Sequence, residues 1–361
     1  MKHLTFIGLI CISLTACGPS ALWAPQTGSQ TLARTAQSSK TTGPFTEYAL
    51  PAGIDPSDLT RGPYDTVYFT SPGSINGPAT VWEMAAATGQ INSCTAPSPY
   101  VSSGFDSIVG LNDSVYYVVK IPVNEDEFYF ARVTPNGTFS FVGAPYFEYG
   151  VVTNLTPAPP NATSFAYGYC ADPCQGPTSG VAGGAQLDNY FVPTGITGGP
   201  GGYLYATAVC TGPCDTPSDS RVYVISESGT VLHRYRLPNG SHPAGIIDGS
   251  DHNLWITEPG INKIARMTPG GVATQFAIPT ANSSPDRITQ GYDGAQFFTE
   301  RATNKIGRIT TSGAISEYTV PTANSQPTGI APCSQQNCGR NGGVWFTETA
   351  ANKVGRFDAP N

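Results

Sequence analysis

The sequence predicts an all-β protein: a seven-bladed β-propeller of four-stranded antiparallel blades whose last blade is closed by an N-terminal strand at about 45–51. Three observations predict it. A phrase recurs near the end of the chain as LWITEPGINKIAR (254–266), QFFTERATNKIGR (296–308) and VWFTETAANKVGR (344–356). The copies are spaced 42 residues (Glu258 to Glu300) and 48 residues (Glu300 to Glu348) apart, and a period in this range with several short strands per unit marks a propeller blade. Second, only 12% of the 361 residues are charged, while Gly (41) and Pro (32) abound, as in a chain of many strands and turns. Third, the final repeat stops at Phe357 after three strands, and FTEYALP (45–51) resembles the outer strand SEYTVP (316–321).

The best-formed unit sets the ruler for the rest. DRITQ (286–290) is an inner strand, AQFFT (295–299) a second, KIGRIT (305–310) a third and AISEYTV (314–320) the outer one. Tyr292-Asp293-Gly294 and Thr311-Ser312-Gly313 supply turns, and alternating apolar residues fill the strands between them. The same ruler places blade five at about 242–279 and blade four at 193–238. It places blade one at 56–97, with TVYFT as its second strand, and blade two at 100–145. Blade three, about 147–192, follows from spacing alone. A strand slotted in from the other end of the chain would remove the exposed edges of an open ring.

Residues 1–16 read as an export signal. Lys2 and His3 precede an apolar run, Leu4–Leu14, too short to span a bilayer, which takes roughly 20 apolar residues. Leu14-Thr15-Ala16-Cys17 is similar to a bacterial lipobox, which implies cleavage before Cys17 and lipid on it. Residues 17–43, rich in Ser, Thr, Gln and Ala, have little to bury and are expected to act as a flexible tether. The expectation is an exported chain, lipid-anchored to a bacterial membrane and facing periplasm or cell exterior. Residues 44–361 form the propeller. A net charge of −7 without a basic patch argues against a nucleic-acid partner.

Cysteine usage fits export. Cys170/Cys174, Cys210/Cys214 and Cys333/Cys338 are close pairs in Gly/Pro-rich loops, expected to close local disulfides; cross-pairing of the first two pairs stays open. Zinc would need converging pairs or added His. Cys94 is left over and is expected to be a buried free thiol.

The units Pro193-Thr194-Gly195-Ile196-Thr197, Trp345-Phe346-Thr347-Glu348, Asn304-Lys305-Ile306-Gly307-Arg308-Ile309 and Ser316-Glu317-Tyr318 resemble the blades of the streptogramin B lyase (virginiamycin B lyase) family. The resemblance is strong over 242–357 and partial over 193–238 and 45–51. It implies a seven-bladed propeller that opens a streptogramin lactone by elimination, assisted by Mg²⁺. Such chemistry needs a base for a Cα proton and a cation for the developing enolate. The resemblance places the family's His after the Pro that starts an inner strand, with the Glu of a W-F-T-E unit beside it. In this chain the residue after that Pro is Ser57, Thr194, Ala244, Asp286 or Thr328, and none is His.

The start of an inner strand and the end of its antiparallel neighbour share one face of the disk. That face is the expected channel mouth. Asp286, Arg287, Glu258, Glu300, Glu348, Thr194 and Thr328 are the candidate mouth residues, with Asp58, Arg61 and Asp106 as added charge. Asp286 and Arg287 replace the small residues usual at an inner-strand start. Glu258, Glu300 and Glu348 read either as base or metal ligands, or as corner partners of Lys263, Lys305 and Lys353. Asp286, Glu300 and His242 are the weak catalytic candidates. His252 belongs to the opposite face and His233 to an outer strand. The leading expectation is a monomeric module binding a small molecule or protein at the mouth, with no certain cofactor. The alternative is a Mg-dependent carbon–oxygen lyase opening a cyclic ester, or a metal-dependent lactonase.

Overall fold

The computed structural model describes residues 39–62, 66–71, 79–95, 185–214, 219–226, 228–338 and 342–360, the strands between 101 and 181, and two short pieces at 14–15 and 35–36. Among the described residues the strands form seven antiparallel sheets that follow one another along the chain. Their innermost strands are, in order, Leu59–Arg61, Ile108–Leu111, Gly150–Ala158, Phe191–Gly198, Ile246–Asp248, Pro285–Gln290 and Pro327–Pro332. Each touches the next, and the seventh touches the first, so the sheets enclose an axis. The fold is an all-β propeller.

Sheet six follows the sequence ruler closely. Pro285–Gln290, Gln296–Glu300, Lys305–Ile309 and Ile315–Thr319 pair in that order. The weakly patterned third unit forms a sheet of its own from Gly150–Ala158 to Ala185–Gln186.

Sheet seven is closed from the far end of the chain. Phe45–Ala49 pairs with Lys353–Asp358, with Tyr48 opposite Val354 and Thr46 opposite Arg356. A strand lies within the stretch expected to be tether, residues 17–43. Ser39–Thr42 folds back on Phe45–Ala49 as a fifth, fully exposed strand. Gly43, at φ 58, makes the tight turn that permits this hairpin.

Between neighbouring sheets lies a core built by compensating sizes. In sheets six and seven Phe298 and Phe346 stand opposite Gly307 and Gly355, whereas sheet five pairs Ile256 with Ala265. A methyl added at Gly307 would land on the ring of fully buried Phe298. We expect Gly307→Ala to cost ~1–3 kcal/mol by overpacking, read by urea unfolding. Adding Phe298→Ile, which copies sheet five, should restore most of that loss; equal instability of the double variant would contradict the size-matching account.

Cys210–Cys214 and Cys333–Cys338 are disulfides, so the second pair does not cross to the first. Cys94 corrects the expectation of a free thiol: it is buried and disulfide-bonded. Close spacing within a loop signalled the local bridges, and a bridge to a distant residue leaves no such local sign. Cys17, Cys174 and Asp106, and the side chain of Cys170, lie outside the described residues.

Candidate functional site

Inner-strand starts and second-strand ends do share a face: Pro285 pairs with Glu300, and Pro327 with Glu348. Most letters of the repeated phrase, however, are used to hold the ring together.

The threonine before each glutamate stitches one sheet to the next. Thr257 accepts the Gly245 N–H at 2.7 Å and donates to the Asp286 carbonyl at 2.6 Å, one sheet onward. Thr299 accepts from Arg287 N–H at 3.2 Å and donates to the Thr328 carbonyl at 2.9 Å. Thr347 accepts from Gly329 N–H at 2.8 Å and donates to the Ser57 carbonyl at 2.8 Å, which carries the pattern across the ring closure. Each hydroxyl bonds backbone groups of two inner strands at once.

Glu258, Glu300 and Glu348 are fully buried in the sheet corner, away from the mouth surface. Burial pushes their carboxyls up, to about 7 for Glu258 and about 8 for the other two. A second carboxyl adds to the rise: Glu317 beside Glu300 and Glu47 beside Glu348. Each of the lysines read as their partners pulls its glutamate back down, Lys263 at Glu258, Lys305 at Glu300 and Lys353 at Glu348, and the last two also pair with the second carboxylates. Lys305 Nζ lies 3.6 Å from Glu317 and Lys353 Nζ 3.5 Å from Glu47.

The asparagine before each lysine makes the corner itself. Asn262, Asn304 and Asn352 have φ of 56, 60 and 53, the left-handed conformation that Asn tolerates better than most residues. Their side-chain amides then clamp the crossover to the next sheet. Asn304 donates to the carbonyls of Val320 and Thr322 at 3.1 and 2.8 Å, and Asn352 to those of Leu50 and Pro51 at 3.2 and 3.0 Å. The arginines lie over core aromatics, as Arg308 does at 5.8 Å from the Phe297 ring centre. Sequence reasoning passed over Thr and Asn; their recurrence in all three copies was the available signal.

Thr194 and Thr328 are likewise engaged. Thr194 donates to Thr207 at 3.1 Å, while Thr328 bonds Thr347, Thr349 and the Ser57 carbonyl. Among the described candidates three charged side chains remain, Asp286 and Arg287 of sheet six and Asp58 of sheet one, all partly buried; Arg61 is exposed at the far end of its inner strand, opposite Val67, and does not belong to the mouth. The strand bulges between Pro285 and Ile288, which re-aims the side chains there. Burial raises the Asp58 carboxyl; the Arg287 charge pulls it down and Asp286 pushes it up, so the three share one electrostatic neighbourhood.

His242 is exposed at φ 43, on the crossover into sheet five. Ser284 and Gln326, both at φ 50, hold the same place before the next two prolines. His252 lies in the turn joining the first two strands of sheet five, and His233 stacks on Tyr235 on an outer strand. The described mouth residues do not fit a Mg²⁺ site. Among the described residues no three His, Cys, Asp or Glu groups converge to hold a metal, and the guanidinium of Arg287 already supplies positive charge beside Asp58.

Residues 192–360 match the family model of the virginiamycin B lyase family. The virginiamycin B lyase from Staphylococcus aureus is similar with a TM-score of 0.64 at 23% identity, over 88% of this chain and 99% of that one. A hydrazine synthase from Kuenenia stuttgartiensis reaches 0.61 at 11% identity, over 86% of this chain and 97% of that one. The WD40 β-propeller domain of Doa1 reaches 0.58 at 12% identity, over 87% and 95%. These likenesses establish the propeller fold. No curated protein matches the chain.

Proposed function

We propose that this virginiamycin B lyase-like chain is an exported, lipid-anchored, seven-bladed propeller that binds a ligand at its axial mouth and performs no lactone opening. One observation carries the reading. The repeat's polar letters are spent on ring construction, and the charges left at the mouth are those where the chain departs from its own repeat. Asp286 and Arg287 are therefore surplus to the fold, and Asp58 adds a charge beside them while its carboxylate also accepts backbone N–H groups of Leu59 and Ile108. A concave mouth that gathers loops from every sheet suits binding. The lipobox-like Leu14–Cys17 segment and the tether support attachment to a membrane.

A second reading rests on Asp286, whose carboxylate follows the inner-strand Pro where the resemblance places the family's His. A carboxylate there has the chemistry to act as a base, which keeps a cyclic-ester lyase or lactonase in view. The two readings part in one assay. Purified mature protein incubated with streptogramin B, with and without added Mg²⁺, should return the intact cyclic lactone, read by chromatographic retention and fragmentation pattern, because elimination leaves the mass unchanged and only hydrolysis would add a water. Ring-opened product that disappears with Asp286→Ala would overturn the binding reading.

A further inference from the structure

The position that carries the mouth charges is one the fold reserves for glycine. Gly195, Gly245 and Gly329 occupy it in sheets four, five and seven, third in the units Pro193–Ile196, Pro243–Ile246 and Pro327–Ile330. A Cβ at Gly195 would lie 2.7 Å from the Ala244 carbonyl oxygen, and at Gly245 3.0 Å from that of Asp286. At Gly329 it would lie 2.7 Å from the Ser57 carbonyl oxygen. In each case the obstacle is the backbone of the next inner strand, which cannot rotate aside. Sheet six places Arg287 at this position and sheet one places Asp58 there. Asp58 there accepts backbone N–H groups of Leu59 and Ile108, but the Arg287 side chain makes no hydrogen bond or ion pair among the described residues, and such an uncompensated break of a packing rule points to a site used for something else.

The charges also fail to satisfy one another. Asp58 feels both Arg287 and Asp286, yet among the described residues no ion pair includes any of the three. The Asp58 carboxylate accepts the N–H groups of Leu59, at 2.9 Å, and of Ile108, while among the described residues Arg287 is bonded through its backbone only. Between Arg287 and Asp58 stands Gly329, the side-chain-free member of the intervening sheet. Opposite charges thus stand at the inner-strand starts of sheets six and one, within reach of each other's field and with no ion pair between them among the described residues.

We propose that the mouth takes a small zwitterion the size of a free α-amino acid. This inference rests on the binding reading above. The ligand's carboxylate lies on the Arg287 guanidinium, whose planar fork suits two parallel hydrogen bonds. Its ammonium group lies against Asp286 and Asp58. Binding involves no covalent step.

The test uses the full mature chain. The twenty free amino acids are screened by thermal shift. The tightest is then titrated calorimetrically beside its N-acetyl and its carboxamide forms. Both blocked forms are expected to bind at least tenfold more weakly than the zwitterion. In Arg287→Gln the carboxamide should bind as well as the free acid. In Asp286→Asn the N-acetyl form should. Arg287→Lys, which keeps the charge, should retain part of the affinity and checks that loss in Arg287→Gln is not misfolding. Binding of no amino acid at millimolar concentration, equal binding of blocked and free forms, or wild-type affinity in both neutralised variants overturns the proposal. Preference for the carboxamide alone or the N-acetyl form alone overturns the ligand class while leaving the mouth a binding site. Turnover of streptogramin B overturns the binding reading itself.

Discussion

Glu348→Gln is expected to make the protein more stable at alkaline pH and to leave it nearly unchanged at pH 5. The Glu348 carboxyl is wholly buried and titrates at about 8 in the fold, against 4.5 for the free group. Burial is the main cause, the Glu47 carboxylate adds to it, and Ser325 and Lys353 partly oppose it. From pH 4.5 to 8 the folded chain holds a proton that the unfolded chain has released. Stability from this group is therefore complete below about 4.5 and is lost as pH rises through 8. At about 1.4 kcal/mol per pH unit, the loss is on the order of several kcal/mol, less whatever local relaxation recovers. Glutamine keeps the shape and never ionises. The melting temperature of Glu348→Gln should exceed that of wild type by roughly 5 °C or more at pH 9 and match it within about 2 °C at pH 5. Glu300, also at about 8, and Glu258, at about 7, slope the same way. Asp188, Asp251 and Glu317 are shifted downward and act at acid pH, outside this window. Parallel melting curves for wild type and variant across this range would remove the buried, protonated Glu348 from the account.

The glutamates also show where sequence ran out. The phrase itself made the corner visible, because Glu300 and Lys305 face each other across a tight turn. Neither the second carboxyl nor its pairing with Lys305 and Lys353 was legible. Glu317 arrives on the fourth strand, and Glu47 comes from the other end of the chain. Blade five lacks the pair altogether: Gln275 stands opposite Ala265 where Glu317 stands opposite Gly307. The threonine stitches escaped for a similar reason. Thr299 bonds a carbonyl 29 residues away on another sheet, and a local strand pattern records only that a small β-branched residue sits there. The charged mouth was partly legible. Asp286 and Arg287 stood out as departures from the repeat, and the structure adds what sequence lacked, that the position opposes the backbone of the next sheet. Strand order in sheets four to seven followed from period and turn residues, because those features are local.

A chain lacking residues 1–51 is expected not to fold. Phe45–Ala49 supplies the whole outer ladder of sheet seven, from Lys353 opposite Ala49 to Phe357 opposite Phe45. It also joins two separate cores. Phe45 packs with Phe297, Ile306 and Val320 of sheet six, its ring 4.9 Å from Phe357. Tyr48 lies on the other side with Leu59, Phe69 and Met84 of sheet one, its ring 5.8 Å from Trp345. Two buried aromatic side chains contribute roughly 1.5–3 kcal/mol each. Losing them with five ladder positions, and leaving Val354 and Phe357 exposed on an open edge, removes an amount comparable to the whole stability of a typical domain, ~5–15 kcal/mol. Glu47 adds a directional lock: it accepts the Thr322 N–H at 3.0 Å, as Glu317 accepts that of Thr280 at 3.1 Å in sheet six. The truncated chain should show no cooperative thermal transition by circular dichroism and should aggregate through its open edge. A peptide spanning residues 39–54, supplied in excess during refolding, should restore the transition, whereas the same peptide with Phe45 and Tyr48 replaced by alanine should not. A truncated chain that melts cooperatively near the wild-type temperature would show that the ring holds without its closing strand.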